Sequence, residues 1–288
     1  MFGYLKIVMG CRVNYMEKDE GRVFVTGFID WEKSIADLVD GCGLIERLPK
    51  GGKVLLKPNL VEAVKPPITT PVELVAALIK HLQQRAPGLE VIVGEGVGAK
   101  DYDTWHSFAM LGYTEMARQL DVELVDLNEA ELVRLENKIC RRLPEIYLPK
   151  IALESFLISL PMLKAHTLAG VTLTMKNMMG MAPPSHYQQG GHWKKASFHT
   201  QIQEAILDLN RYRHPDFTIM DATIGMIEAH LWGPTCEPPP NQLVAGFDPV
   251  AVDAYGCALL ARDWQEIGHI QMAQGELGRA EPLEVAAI

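Results

Sequence analysis

The chain has 288 residues, 48% apolar and 22% charged, the balance of a globular protein able to bury a sizeable core in one large domain or two lobes. Its 27 basic and 36 acidic residues leave a net charge of −9, which argues against a general nucleic-acid surface or adhesion to an acidic membrane. Any anionic ligand must be drawn in by local lysines against that field.

No apolar run approaches the roughly 18 residues needed to cross a bilayer. The start of the chain, with Lys6 and few apolar residues before Cys11, is too short for the apolar region of a signal peptide. Val8-Met-Gly-Cys11 has the residue order of a lipoprotein cleavage site but lacks that apolar region too. The five cysteines (11, 42, 140, 236 and 257) are scattered, odd in number and never spaced C-x-x-C. This leaves no iron–sulfur cysteine motif or zinc ribbon and fits buried thiols in a reducing cytoplasm. The expected partner is a small anionic ligand, with no nucleic acid and no membrane; an oligomer stays open.

Along the chain, Lys53–Pro58 reads as a short buried strand after the turn signal Pro49-Lys-Gly-Gly52. Thr70-Pro71 opens a helix with threonine as cap, and Leu74, Val75, Leu78, Ile79 and Leu82 keep helical spacing until Pro87-Gly88. Glu90–Gly94 is the next strand. Asp103-Thr104 caps a second helix running to about Leu120, and Val122–Val125 is a third strand. The segments 131–135 and 146–148 alternate around 138–142 and are expected to pair as a hairpin, after which Phe156–Leu160 reads as a buried strand.

The stretch 180–198 is a long polar, glycine-rich loop, the kind that serves as a lid or binding segment. A helix over about 199–212, a strand over Phe217–Met220, a Gly/Pro-rich insertion at 225–240, a strand over Leu243–Ala245 and a helix over 248–261 opened by Asp248-Pro249 complete the series. The predicted fold class is α/β, with a mainly parallel sheet and flanking helices. It is arranged either as one sheet with an inserted hairpin or as two α/β lobes, 1–128 and 129–288.

The residues that carry chemistry gather at strand ends, where open α/β sheets bind ligands. Lys57-Pro-Asn59 follows the first strand, and Lys164, His166, Lys176 and Asn177 follow the strand over 156–160. Lysines supply point charges and the asparagine amides both donate and accept, which suits a carboxylate or phosphate. A lysine beside a second cation has a lowered pKa, so Lys176 with His166 is the predicted catalytic pair. Gly94-Glu-Gly-Val-Gly98 completes no dinucleotide-binding pattern, and Glu95 would repel a phosphate, so it is expected as a hydrogen-bond acceptor or general base. Asp221 stands at a strand end as a ligand-facing carboxylate. Asp248 is expected as a helix cap, and Asp253 as an acid that pairs with a site lysine.

Histidines 166, 186, 192 and 199 cluster in the irregular region without a tight ligand spacing. They support an alternative: a divalent metal or metallocofactor held by His166 and His192, with Asp221 or Asp253. The methionines at 175, 178, 179 and 181 read as packing.

The ordered set Lys57-Pro-Asn59, Ile68-Thr-Thr-Pro71, Val93-Gly-Glu-Gly96, Pro161-Met-Leu-Lys164-Ala-His166, Met175-Lys-Asn177 to Gly180, Asp221-Ala to Gly225 and Asp248-Pro-Val-Ala-Val-Asp253-Ala resembles the domain-of-unknown-function 362 family over about residues 50–260. Many members of that family carry an appended ferredoxin-like cluster domain; this chain lacks those cysteines, so a cluster role does not follow. Pro161 to Lys176 is also similar to the nickel-pincer lactate racemases, in which a histidine, a cofactor-holding lysine ten residues on and a later histidine ligand follow a strand. That resemblance implies His166, Lys176 and His192 in those places. The racemases also have a His-Arg pair after the glycine turn, where this chain has Gly-Val-Gly-Ala-Lys-Asp.

Overall fold

The computed structural model describes residues 19–288; the Lys6 and Val8–Cys11 features lie outside them. Among the described residues, ten strands build one sheet. In chain order they are β1 (Arg22–Gly27), β2 (Gly52–Pro58), β3 (Leu89–Glu95), β4 (Glu123–Asp126), then β7 (Phe156–Leu160), β8 (Met162–His166), β9 (Gly170–Thr172), β10 (Phe217–Met226), β11 (Gln242–Gly246) and β12 (Glu284–Ala287). The remaining two, β5 (Leu132–Glu136) and β6 (Glu145–Pro149), pair antiparallel as the predicted hairpin.

The spatial order is β12-β1-β11-β10-β7-β2-β3-β4, with β8 continuing beside β10 and β9 pairing with β8. From β10 to β4 the neighbours on this path run parallel, whereas β11 is antiparallel to both β10 and β1. The sheet is therefore mainly parallel across the part that builds the site.

Both faces are covered, which is why the strands read as near-continuous apolar runs. Successive residues feed opposite cores. Leu55, Leu157, Met220 and Val244 pack in one cluster with the helices over Ile202–Tyr212 and Pro249–Leu259, through Ile206, Leu209, Val252 and Cys257. Val54, Leu56, Ile158, Ile219 and Leu243 pack in the other with the helices over Trp31–Gly41 and Val72–Arg85, through Ile35, Leu38, Leu74 and Leu78.

Several sequence expectations hold at the level of single residues. Asp103 accepts from the His106 N–H, and Asp248 from the Val250 and Ala251 N–H groups, as N-caps. Others need correction. Thr70 does not cap the helix over Val72–Arg85. Its hydroxyl accepts from the Asn59 N–H at 2.8 Å and donates to the Leu160 carbonyl at 2.7 Å, tying the end of β2 to the end of β7. The helix expected over 104–120 is broken at Gly112, whose φ of +85° no helix tolerates, into Thr104–Met110 and Tyr113–Leu120. β10 runs on to Met226, so Asp221 lies inside the strand. No helix among the described residues is long and apolar enough to cross a membrane.

The topology fixes the site. From β2 the chain steps outward to β3 and β4, then returns to place β7 on the other side of β2. Strand order thus reverses between β2 and β7. At such a switch point the crossover helices leave in opposite directions and a crevice opens beyond the carboxyl ends of the strands.

Candidate functional site

A cavity of about 220 Å³ opens beyond the ends of β2 and β3. Lys57 and Glu95 come to it from those two strands, Asn59 from the residue just past β2, Lys164 and His166 from β8, and Lys176 and Asn177 from the short helix over Thr174–Asn177. The loops add Lys195, His199 and His230, and the exposed Leu168, Trp193 and Trp232 form part of its wall. Four lysines and one carboxylate therefore face one small space.

Most of the polar atoms are already committed to one another. Lys57 Nζ donates to both Glu95 oxygens at 2.9 and 3.0 Å, to the Pro58 carbonyl at 3.1 Å and to Asn177 Oδ1 at 3.2 Å. Glu95 also accepts from the Gly96 N–H at 2.8 Å and the Leu60 N–H at 3.0 Å. Asn59 Nδ2 donates to Asn177 Oδ1 at 3.0 Å, while its Oδ1 accepts from Lys164 Nζ at 2.6 Å. Asn177 Nδ2 closes the chain onto the Lys57 carbonyl and the Ser159 hydroxyl. The network needs close approach of the backbone. A Cβ on Gly180 would meet Glu95 Oε1 and lie 2.5 Å from Lys57 Nζ, and one on Gly96 would meet the Gly180 carbonyl.

An ammonium has three protons to donate, so the lysines differ in what remains for a ligand. Lys57 is saturated. Lys164 uses two, on Asn59 and the Ile68 carbonyl, and Lys195 uses two, on Asn128 and the Ala182 carbonyl. Lys176 lines the cavity with no hydrogen-bond partner among the described residues. Burial and neighbouring cations push these groups down. Lys164 falls to about 7, through burial and the charge of Lys176. Lys195 also falls to about 7, through burial. Lys176 falls to about 8, through burial and the charge of Lys57.

The histidines are set in particular tautomers. His166 Nδ1 accepts from the Leu168 and Ala169 N–H groups, both at 3.0 Å, so the neutral ring carries its proton on Nε2. Burial and the charge of Lys176 hold its pKa far below the usual histidine range. His199 is the reverse: its Nδ1 lies 3.3 Å from the Lys195 carbonyl, which can only accept, so Nε2 is the bare nitrogen. His230 stacks on His166 with ring centroids 4.0 Å apart, and burial lowers its pKa to about 3.

Three residues chosen from the sequence lie elsewhere. Asp253 pairs with no lysine among the described residues; it accepts from the Thr174 and Met175 N–H groups at 2.7 and 2.9 Å and so caps the helix that carries Lys176. Burial raises its pKa to about 7 against those two bonds. Asp221 accepts from the Thr223 N–H inside β10 and does not line the cavity. His192 is exposed and outside the lining, and His230 is the ring that reaches His166. Among the described residues no group of three His, Cys, Asp or Glu side chains converges as a metal site. The four described cysteines are buried thiols.

Nothing in the sequence pattern points to Lys195, His199 and His230 as site residues. Two of them come from the 180–198 segment and its continuation, which holds short turns over Pro184–Tyr187 and Ala196–His199, and the third from the 225–240 insertion.

The model of the family described as "Domain of unknown function (DUF362)" matches residues 54–258, a span that contains every cavity-lining residue. The chain belongs to this family. No curated protein matches this DUF362 chain. Among solved structures it is similar to the lactate racemase apoprotein from Thermoanaerobacterium thermosaccharolyticum, with a TM-score of 0.54 at 11% identity. The match covers 85% of the DUF362 chain and 57% of the racemase chain, and at that identity it shows a shared fold.

Proposed function

We propose that this DUF362 protein binds a small carboxylate- or phosphate-bearing molecule in the cavity at the β2/β7 switch point, in a reducing compartment such as the cytoplasm. The observation that carries this reading is Lys176: among the described residues it is an ammonium without a partner, in a space that holds three further lysines and a single carboxylate. An unpaired charge in a half-buried cavity among other cations is costly, and an anion is what relieves it. Lys164 and Lys195 each keep one proton for the same ligand, and His166 offers a neutral N–H. The Lys57–Glu95–Asn59–Asn177 network acts as the rigid floor on which these donors stand.

Titration calorimetry with inorganic phosphate and with pyruvate tests the reading. Binding of either probe that is lost in a folded Lys176→Met variant supports it; undiminished binding by that variant overturns it. The second reading, a metal or metallocofactor module linked to racemase-like chemistry, draws on the fold likeness to lactate racemase. Lys176 and His166 line the cavity, whereas His192 is exposed outside it and Asp221 and Asp253 accept backbone N–H groups. Stoichiometric transition metal in protein purified without a tag would favour it.

A further inference from the structure

We propose that the Lys176 amine is a nucleophile that condenses with the carbonyl of a 2-oxo carboxylate to form an imine. This deepens the anion-binding reading and rests on it: Lys164 and Lys195 hold the carboxylate, and the adjacent carbonyl meets Lys176.

Four observations converge. First, Lys176 differs from the other three cavity lysines in donating to no atom among the described residues, so its nitrogen is available to react. Second, it is desolvated among cations, the environment that makes a lysine amine nucleophilic near neutrality. With a pKa of about 8, about a quarter of the amine is uncharged at pH 7.5, against about one part in a thousand for an ordinary lysine. Third, His166 shows the cavity an Nε2–H that stays neutral, which polarises a carbonyl oxygen without competing for protons. Fourth, His199 shows the same cavity a bare Nε2, a proton acceptor.

The step balances. The Lys176 Nζ lone pair forms the C–N bond while the carbonyl π pair moves to oxygen, where the His166 N–H receives it. Two protons pass in turn from nitrogen through His199 to that oxygen, which leaves as water as C=N forms. An amine and a carbonyl give an imine and water, with no oxidant or reductant consumed.

Incubation of the full chain with pyruvate and cyanoborohydride, followed by intact mass and peptide mapping, tests this. One reduced pyruvate adduct per chain, mapped to Lys176, slowed by excess inorganic phosphate and missing from Lys176→Arg, is the expected result. Since mapping is done on the wild-type chain, the outcome does not depend on the variant folding. Modification spread over surface lysines such as Lys33 and Lys50 at the same rate overturns the proposal. So does absence of an adduct while calorimetry detects pyruvate, which leaves the anion reading standing. Absence of both adduct and anion binding removes the two together.

Discussion

The Lys57 ammonium meets both oxygens of Glu95, at 2.9 and 3.0 Å, and joins the ends of β2 and β3 where both side chains are buried. Burial lowers the Lys57 pKa and the Glu95 charge opposes that shift. Two charges survive in such a place only because each also has fixed partners, here Asn177, the Pro58 carbonyl, and the Gly96 and Leu60 N–H groups.

Removing one member alone should therefore be expensive. Glu95→Gln or Lys57→Met is expected to lose about 3–5 kcal/mol, whereas the double variant recovers much of that because no charge is left unpaired. Urea unfolding of the three variants measures it. Single losses below about 1 kcal/mol would mean that the pair does not organise the site.

Asp253 acts at one remove. Its carboxylate holds the first two N–H groups of the helix over Thr174–Asn177, and no side chain at the helix start does so. Asp253→Ala leaves two buried donors unsatisfied, at about 1–3 kcal/mol each. Because Lys176 and Asn177 ride on that turn, phosphate affinity should fall with stability, and Asp253→Asn, which keeps one acceptor, should fall between. Equal phosphate affinity in all three chains would separate the cap from the site.

The parts of this arrangement that the sequence made legible are those written in apolar runs. Lys57, Asn59 and Glu95 fall at strand ends because the runs before them stop there. The sequence puts Lys164 and His166 beyond a strand, and they lie within β8. Pro161 has no N–H and breaks the ladder, but the chain resumes pairing beside β10, with Met162 opposite Asp221. From sequence, Asp253 points to a lysine partner, since a sequence shows a charge but not the bare N–H groups across a tertiary contact. His230 replaces His192 beside His166 because the approach of two loops depends on the path of the chain, which no periodicity encodes.

Gly180 should tolerate no side chain. The atoms that its Cβ would meet are the Glu95 carboxylate and the Lys57 ammonium, both pinned from several sides. Gly180→Ala is expected to destabilise by about 1–3 kcal/mol as the pair is pushed apart, and to weaken phosphate binding more than Gly190→Ala does, where a Cβ meets open space. Gly190 has a φ of +76°, so its own modest strain serves as the control for backbone effects. Thermal unfolding with and without phosphate distinguishes the two.

The cavity lysines set the pH dependence. Lys164 and Lys195 fall to about 7 and Lys176 to about 8 in the folded chain, all below the usual lysine value that returns on unfolding. Between those values the unfolded chain binds more protons than the folded one, so their contribution to stability rises with pH from about 7 to about 10 and is lost as pH falls through the folded values. Lys164→Met should flatten that rise in urea midpoints measured across the range. Anion binding has the opposite sign. It needs the ammonium forms, so it should draw protons from solution at pH 8 and weaken steadily toward pH 10. Calorimetry in two buffers of different ionisation enthalpy reads the uptake directly. Phosphate binding with no proton uptake at pH 8 would place the anion away from these lysines.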